Sequence, residues 1–264
     1  GASYAGVENT FIGSEVGGAV TTSQGSVAIG YHAIGAGVMT GDVNVAIGYA
    51  SGQQLDGGAG NTFVGGSTGL ALQEGASNVA IGNNAFDAAA NAETGNIAIG
   101  KDAMGAIAEG TNASSGAANV DYNVAIGFNA FSGGTFGTQD DSTDRQSIGN
   151  VAIGGHALDA TAANPSIGQI AIGQNALTAL TSGVENTAVG YQAGQAMTVG
   201  SNLTAIGYQA GLLLTLGANA NTAIGAGALK AGDAATTDHN TCVGYLAGST
   251  ITSGSSNTLI GSGA

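Results

Sequence analysis

The chain has almost no positive charge. Three Lys and Arg stand against 17 Asp and Glu in 264 residues, and charged residues make up only 8% of the whole. Lys101, Arg145 and Lys230 are too few and too scattered to neutralise a phosphate backbone, which excludes nucleic acid as a partner. A formal net charge of −14 favours solubility and disfavours an anionic membrane surface. Tryptophan is absent, and proline and cysteine occur once each. Cys242 alone cannot close an internal disulfide, so it says nothing firm about redox compartment. There is no initiator Met and no signal peptide, and the opening "GASYAGVENT" reads as a mature or excised start. Residues 186–229 carry no charge, yet Asn219, Asn221 and the surrounding glycines argue against a membrane span there.

What the sequence has in quantity is glycine, 49 residues, within a chain that is 43% hydrophobic. That is too apolar for a disordered polar chain and lacks the strict triplet of collagen. The glycines instead mark a longer repeat. Gly13, Gly30, Gly48, Gly65, Gly82, Gly100, Gly127, Gly154, Gly173, Gly190, Gly207, Gly225, Gly244 and Gly261 each follow Ile or Val, giving 14 anchors. Most steps between anchors are 17–18 residues; two in the middle are 27. Three residues before each anchor stands Val, Ile or Thr, two before is usually Ala, and four before is usually Asn. The unit reads N-[TV]-A-I-G-x-x-A.

Glycine-rich units led by an Asn turn make poor helices. The five-residue phrase suits a short β-strand, and a second apolar run in each unit ("GVMT" at 37–40, "AMTV" at 196–199, "LLLTL" at 212–216) suggests a second strand. Two strands and two turns per unit describe one coil of a parallel β-solenoid. The expected fold is therefore all-β: a single β-roll over residues 1–264, with about 14 coils of 17–18 residues. Stacked coils place equivalent residues in columns about 4.8 Å apart. The structural ladder comprises Asn44, Asn61, Asn78 and Asn96, then Ile29, Ile47, Ile81 and Ile99, and the corner glycines Gly30, Gly48, Gly82 and Gly100. The two 27-residue steps predict lateral insertions at about 108–122 and 134–149, candidates for receptor contact or plain decoration.

Side chains alternate along the first strand. Val or Thr and Ile fall on one face; Asn, Ala and Gly fall on the other, with Phe11, Phe63, Cys242 and Leu259 replacing Ala. Neither face carries a charge, which predicts burial on both sides, with the second cover supplied by another copy of the chain. On that reading, a Glu at Ala98 or Ala125 breaks assembly.

The phrases "NVAIGYASG" (44–52), "NVAIGNNAF" (78–86) and "NTAIGAGAL" (221–229) resemble the head repeats of trimeric autotransporter adhesins of the YadA type, and also the repeat stalks of phage tail fibres. The resemblance covers nearly the whole chain. It implies a left-handed β-roll, a homotrimer, and adhesion at a bacterial or virion surface, hence an extracellular location.

The expected function is that of a non-catalytic, structural or adhesive segment of such a fibre. Its partners would be further copies of itself and a host surface glycan or protein; neither cofactor nor membrane insertion is expected. A second reading is a filament subunit joined head to tail, because the first and last half coils add up to nearly one full coil. Ice-binding solenoids and hexapeptide acyltransferases are remote readings. Tyr31, Tyr49, Tyr191 and Tyr208 follow their anchors directly and could stack, either as packing or as a platform for sugar rings. Asp140, Asp141 and Asp144 are weak calcium candidates, with a solvated loop the plainer reading. His32, His156 and His239 do not pair for metal binding. Thr181, Thr198, Thr215 and Thr252 form a column that would suit ice binding only if it faced water; ordinary strand propensity explains it as well.

Overall fold

A computed structural model of the chain describes residues 6–18, 20–35, 38–89, 92–107, 120–133, 146–161, 166–215, 219–231 and 237–264. The described residues contain strands and turns and no helix. They fall into two compact units, one made of residues 1–129 and 134–144, the other of 130–133 and 145–264.

In the first unit the anchor strands are β1 (Thr10–Ile12), β2 (Val27–Ile29), β3 (Val45–Ile47), β4 (Thr62–Val64), β5 (Val79–Ile81), β6 (Ile97–Ile99) and β8 (Val124–Ile126), with the two-residue β7 (Val120–Asp121) before the last. In the second they are β10 (Val151–Ile153), β12 (Ile170–Ile172), β14 (Thr187–Val189), β15 (Thr204–Ile206), β16 (Thr222–Ile224), β17 (Thr241–Val243) and β18 (Thr258–Ile260). The short β9 (Ser147–Ile148), β11 (Ser166–Ile167) and β13 (Gly183–Val184) form a small parallel sheet beside them. Within each unit every anchor strand pairs in parallel with the next, column on column: Val27 on Val45, Ala28 on Ala46, Ile29 on Ile47. Seven anchor strands make six complete turns per unit, so the chain is a parallel β-solenoid of about 12 turns. The register survives the longer step. Ile97 still pairs with Val124 across 27 residues.

Among the described residues the second apolar run forms no strand of its own beyond the isolated Ser182–Val199 bridge, and the two-residue β9, β11 and β13 form later, just before their anchor strands. The apolar run after each corner pairs through isolated backbone hydrogen bonds, such as Thr40 N–H to the Asp56 carbonyl (2.8 Å) and Thr198 N–H to the Thr215 carbonyl (2.8 Å). The reason lies in the corner. Each anchor Gly has φ between 130° and 141°, a region essentially closed to other residues, and a Cβ on Gly82 would sit 2.5 Å from the Gly100 carbonyl oxygen. The second and fourth residues after the anchor then enter the left-handed region, as at His32 (φ 55°) and Ile34 (φ 47°). This alternation turns the chain through several steps, and the run that follows contributes one buried side chain per coil (Met39, Leu55, Leu72, Met197 or Leu214) in place of a pleated strand.

The interior is built from small residues. Ala28, Ala46, Ala80 and Ala98 on the strands face Ala33, Ala85 and Ala103 three residues past the anchors, all essentially inaccessible to solvent. Where the strand Ala is replaced by Phe63, the neighbouring corner positions are Gly52 and Gly69, and the ring fills their space.

The Asn column is buried and fully bonded. The Oδ1 of Asn44 accepts from the backbone N–H of Asn61 (2.8 Å) and from its Nδ2 (3.1 Å), while Asn61 Nδ2 also donates to the Gly75 carbonyl (2.8 Å). Asn78, Asn96 and Asn123 repeat the pattern. Ser26, Gln169 and Leu203 stand in the column elsewhere; Leu203 keeps only the backbone bond to Asn186 Oδ1 (2.9 Å). Among the described residues no buried side-chain nitrogen or oxygen lacks a partner, as low-dielectric burial demands.

Candidate functional site

The structure decides which strand face is inside. The Ala and Asn columns are the interior, and the Val/Thr and Ile columns point outward. Ile47 is 36% exposed, Ile81 39%, Ile206 39% and Ile224 37%. Ile29 and Ile99 are half-buried. Ala98 and Ala125 are covered by their own chain, so a carboxylate there breaks the coil itself; this corrects the expectation that it would act on assembly. The outward face is an uncharged strip of β-branched side chains. In the first unit its outer column is mostly Val; in the second it becomes Thr at Thr187, Thr204, Thr222, Thr241 and Thr258.

That second Thr column is the one that faces out. The Thr181 and Thr198 hydroxyls instead donate to the carbonyls of Thr198 (2.8 Å) and Thr215 (2.9 Å) on the following coils. Bonding to the backbone takes those two hydroxyls away from any regular array facing water.

Three carboxylates sit at turns entering the strands and bond to backbone N–H groups. Gln24 N–H donates to Asp42 Oδ1, Thr94 N–H to Asp121 Oδ1 and Asn219 N–H to Asp238 Oδ1, each at 2.7 Å. Each acid closes a turn by bonding to the preceding coil. The short D-x-N phrase at 42–44, 121–123 and 238–240 carried that information in the sequence.

The tyrosines do stack. Tyr31 and Tyr49 lie 5.6 Å apart at 20°, and Tyr191 and Tyr208 5.7 Å apart at 8°. Lys101 Nζ lies 5.5 Å from the Phe128 ring on the same column. Beside Tyr31, His32 Nε2 bonds to Glu15, and Gln53 Nε2 lies 2.9 Å from His32 Nδ1. The Glu15 carboxylate raises the Tyr31 phenol above its ordinary pKa, with loss of hydration and Tyr49 adding to the effect. Next to the Tyr191–Tyr208 stack a side-chain pair runs the same way: Gln209 Nε2 donates to Gln192 Oε1 (2.7 Å).

One constellation escaped sequence reading. Ser132 donates to Asp159, whose other oxygen lies 2.8 Å from His156 Nδ1. The residue types are those of a hydrolase triad, but the wiring differs. A triad needs the imidazole between hydroxyl and carboxylate to take the serine proton. Here the carboxylate lies between, so the three brace adjacent coils.

Asp140, Asp141 and Asp144 lie outside the described residues, as do residues 108–119 and 134–145 of the two insertions. The described ends of those insertions belong to the coil: Val120 and Ser147 are buried within short strands. Among the described residues no group of three His, Cys, Asp or Glu side chains is placed to hold a metal ion.

Comparison with protein-family models, with curated proteins and with solved structures returns no match.

Proposed function

We propose that this chain is a non-catalytic segment of an extracellular fibre in which three copies pack through the outward Val/Thr and Ile strip, in the manner of YadA-like adhesin heads and phage tail-fibre stalks. The observation that carries the reading is the strip itself. A sheet face of β-branched residues without one charge, with Ile47, Ile81, Ile206 and Ile224 each 36–39% exposed, is what a chain presents when another chain covers it. The sequence resemblance supplies the number three and the left-handed winding. The acidic turns, at the strand entries, keep the assembled fibre soluble. Adhesion at a cell or virion surface follows from the same resemblance.

The test is the mass of the chain in dilute, non-denaturing buffer. A trimer gives three times 25.1 kDa. A soluble monomer, stable at micromolar concentration, overturns the reading.

A further inference from the structure

The tyrosine column has a missing rung. Strand register aligns Ile206 with Ile224 and Ile224 with Val243, so Tyr208, Ala226 and Tyr245 occupy one column position on three successive coils. The backbone confirms the alignment just past the anchors. Gly227 N–H donates to the Tyr208 carbonyl (2.8 Å) and Leu246 N–H to the Ala226 carbonyl (2.9 Å). Tyr191 stacks on one face of Tyr208 at 8°, which sets the Tyr208 plane across the coil axis and turns its other face toward the rung of Ala226. Tyr208 is 56% exposed and Tyr245 61%. Rings on successive rungs of this column stack 5.7 Å apart, so one flat ring seated over Ala226 would lie at about that distance from Tyr208 and, with Tyr245 turned the same way, from Tyr245. That is within the ordinary contact range of stacked rings, about 4.5–7 Å.

We propose that Tyr208, Ala226 and Tyr245 form a slot for one pyranose ring of a neutral glycan, held between the two phenol faces. The inference rests on the adhesive half of the function above and names the ligand class for it. Two aromatic faces take the apolar C–H faces of a sugar, and the polar edge is provided for: both phenol hydroxyls, and the carbonyl oxygen of the Gln209 side chain, whose amide nitrogen is already committed to Gln192. Charge selects against acidic sugars. The chain carries −14, and Lys230 is the one cation between residues 146 and 264. The slot differs from the Tyr31–Tyr49 stack, which is followed on the next coil by Gly66 and then by Asn83, with no second aromatic to close it.

The experiment uses the whole chain and two neutral probes, cellohexaose and chitohexaose, with hexagalacturonate as the acidic comparison. Binding is read by calorimetry and by tyrosine emission, which no tryptophan obscures. At least one neutral probe is expected to bind and the acidic one to bind at least tenfold more weakly. Tyr208→Ala and Tyr245→Ala should each weaken binding at least tenfold. Ala226→Tyr should abolish it while preserving the melting temperature, because the column accepts Tyr on five other coils. Tyr31→Ala should change nothing. The proposal is overturned if neither neutral probe binds, if Ala226→Tyr leaves binding intact, or if Ala226→Tyr lowers the oligomeric mass instead, which would make the occupant an aromatic side chain of a second copy. Mass and binding are separate readouts. A trimer that binds no sugar defeats this proposal alone, and a sugar-binding monomer defeats the assembly alone.

Discussion

The ring of Phe63 occupies the space that a side chain on Gly69 would need: a Cβ there would lie 2.9 Å from Cε1 and Cζ. Gly52, on the coil before, meets the same ring at 3.1 Å. Large and small residues exchange places between strand and corner. On four other coils the strand carries Ala and the corner carries Phe86, Phe131, Leu158 or Leu177, each fully buried. Phe63→Ala should cost about 3–5 kcal/mol, because the rigid neighbours cannot close on the cavity. Gly69→Leu alone should also destabilise, by collision. The double variant should recover part of both losses, since the left-handed corner already accepts Leu at Leu158 (φ 55°). Urea unfolding of the four proteins gives the coupling.

Adjacent residues should give opposite results on the two strand faces. Ala80→Glu puts a carboxylate in a sealed interior and should prevent folding, seen as loss of the β-sheet circular dichroism. Ile81→Glu should leave the coil folded, because its side chain points outward, and should break the proposed trimer into monomers.

The Asn column should behave as a chain of local bonds. Asn61→Ala removes the acceptor for Asn78 N–H and the donor to the Gly75 carbonyl, and leaves both groups buried. A loss of about 1–3 kcal/mol per orphaned group is expected in chemical unfolding.

Corner glycines should divide by conformation and space. Gly82→Ala meets a closed region of φ and the Gly100 carbonyl, and should destabilise severely. At Gly25 (φ 64°) an added methyl would meet nothing within 4 Å, so Gly25→Ala should cost only about 1 kcal/mol in the same unfolding measurement.

Asp87 gives a pH signature. Burial raises its carboxyl above the ordinary value, and the nearby Asp102 adds to this, while backbone N–H groups at Asp87 and Ala88 oppose it. The folded state therefore holds the proton more tightly than the unfolded chain. Its contribution is favourable at low pH and is lost as pH rises from the unfolded value through the raised folded one. Asp87→Asn should stabilise the chain at neutral pH and have little effect near pH ~3, measured by thermal melts across that range.

The sequence disclosed the repeat, the parallel stacking and the Asn ladder, because each is a column and a column is written as a period. It did not disclose which face of β3 or β5 is inside. Ala46 and Ile47 are both uncharged, and hydrophobicity alone would bury Ile; the structure buries Ala46 with Ala28, Ala33, Ile34 and Met39 instead. Nor did it disclose that His32 and Ile34 turn the backbone through the left-handed region and that Val38–Thr40 follow outside any strand. β-branched Ile34 favours strand by propensity, and the ladder of coil-to-coil hydrogen bonds overrides that preference. The Ser132–Asp159–His156 brace was hidden because its members meet only through stacking, 27 residues apart at the extremes.

The pairing of Ile97 with Val124 across a 27-residue step means that strand register does not depend on how many residues lie between two anchors. Length thereby becomes a heritable dial. Duplicating one 17-residue stretch of gene adds one turn, about 4.8 Å of reach, and every new contact is one the ancestor already made. Unequal exchange between near-identical copies can lengthen or shorten the product without passing through a misfolded form. A lineage can thus tune the number of turns while leaving the chemistry of each turn alone.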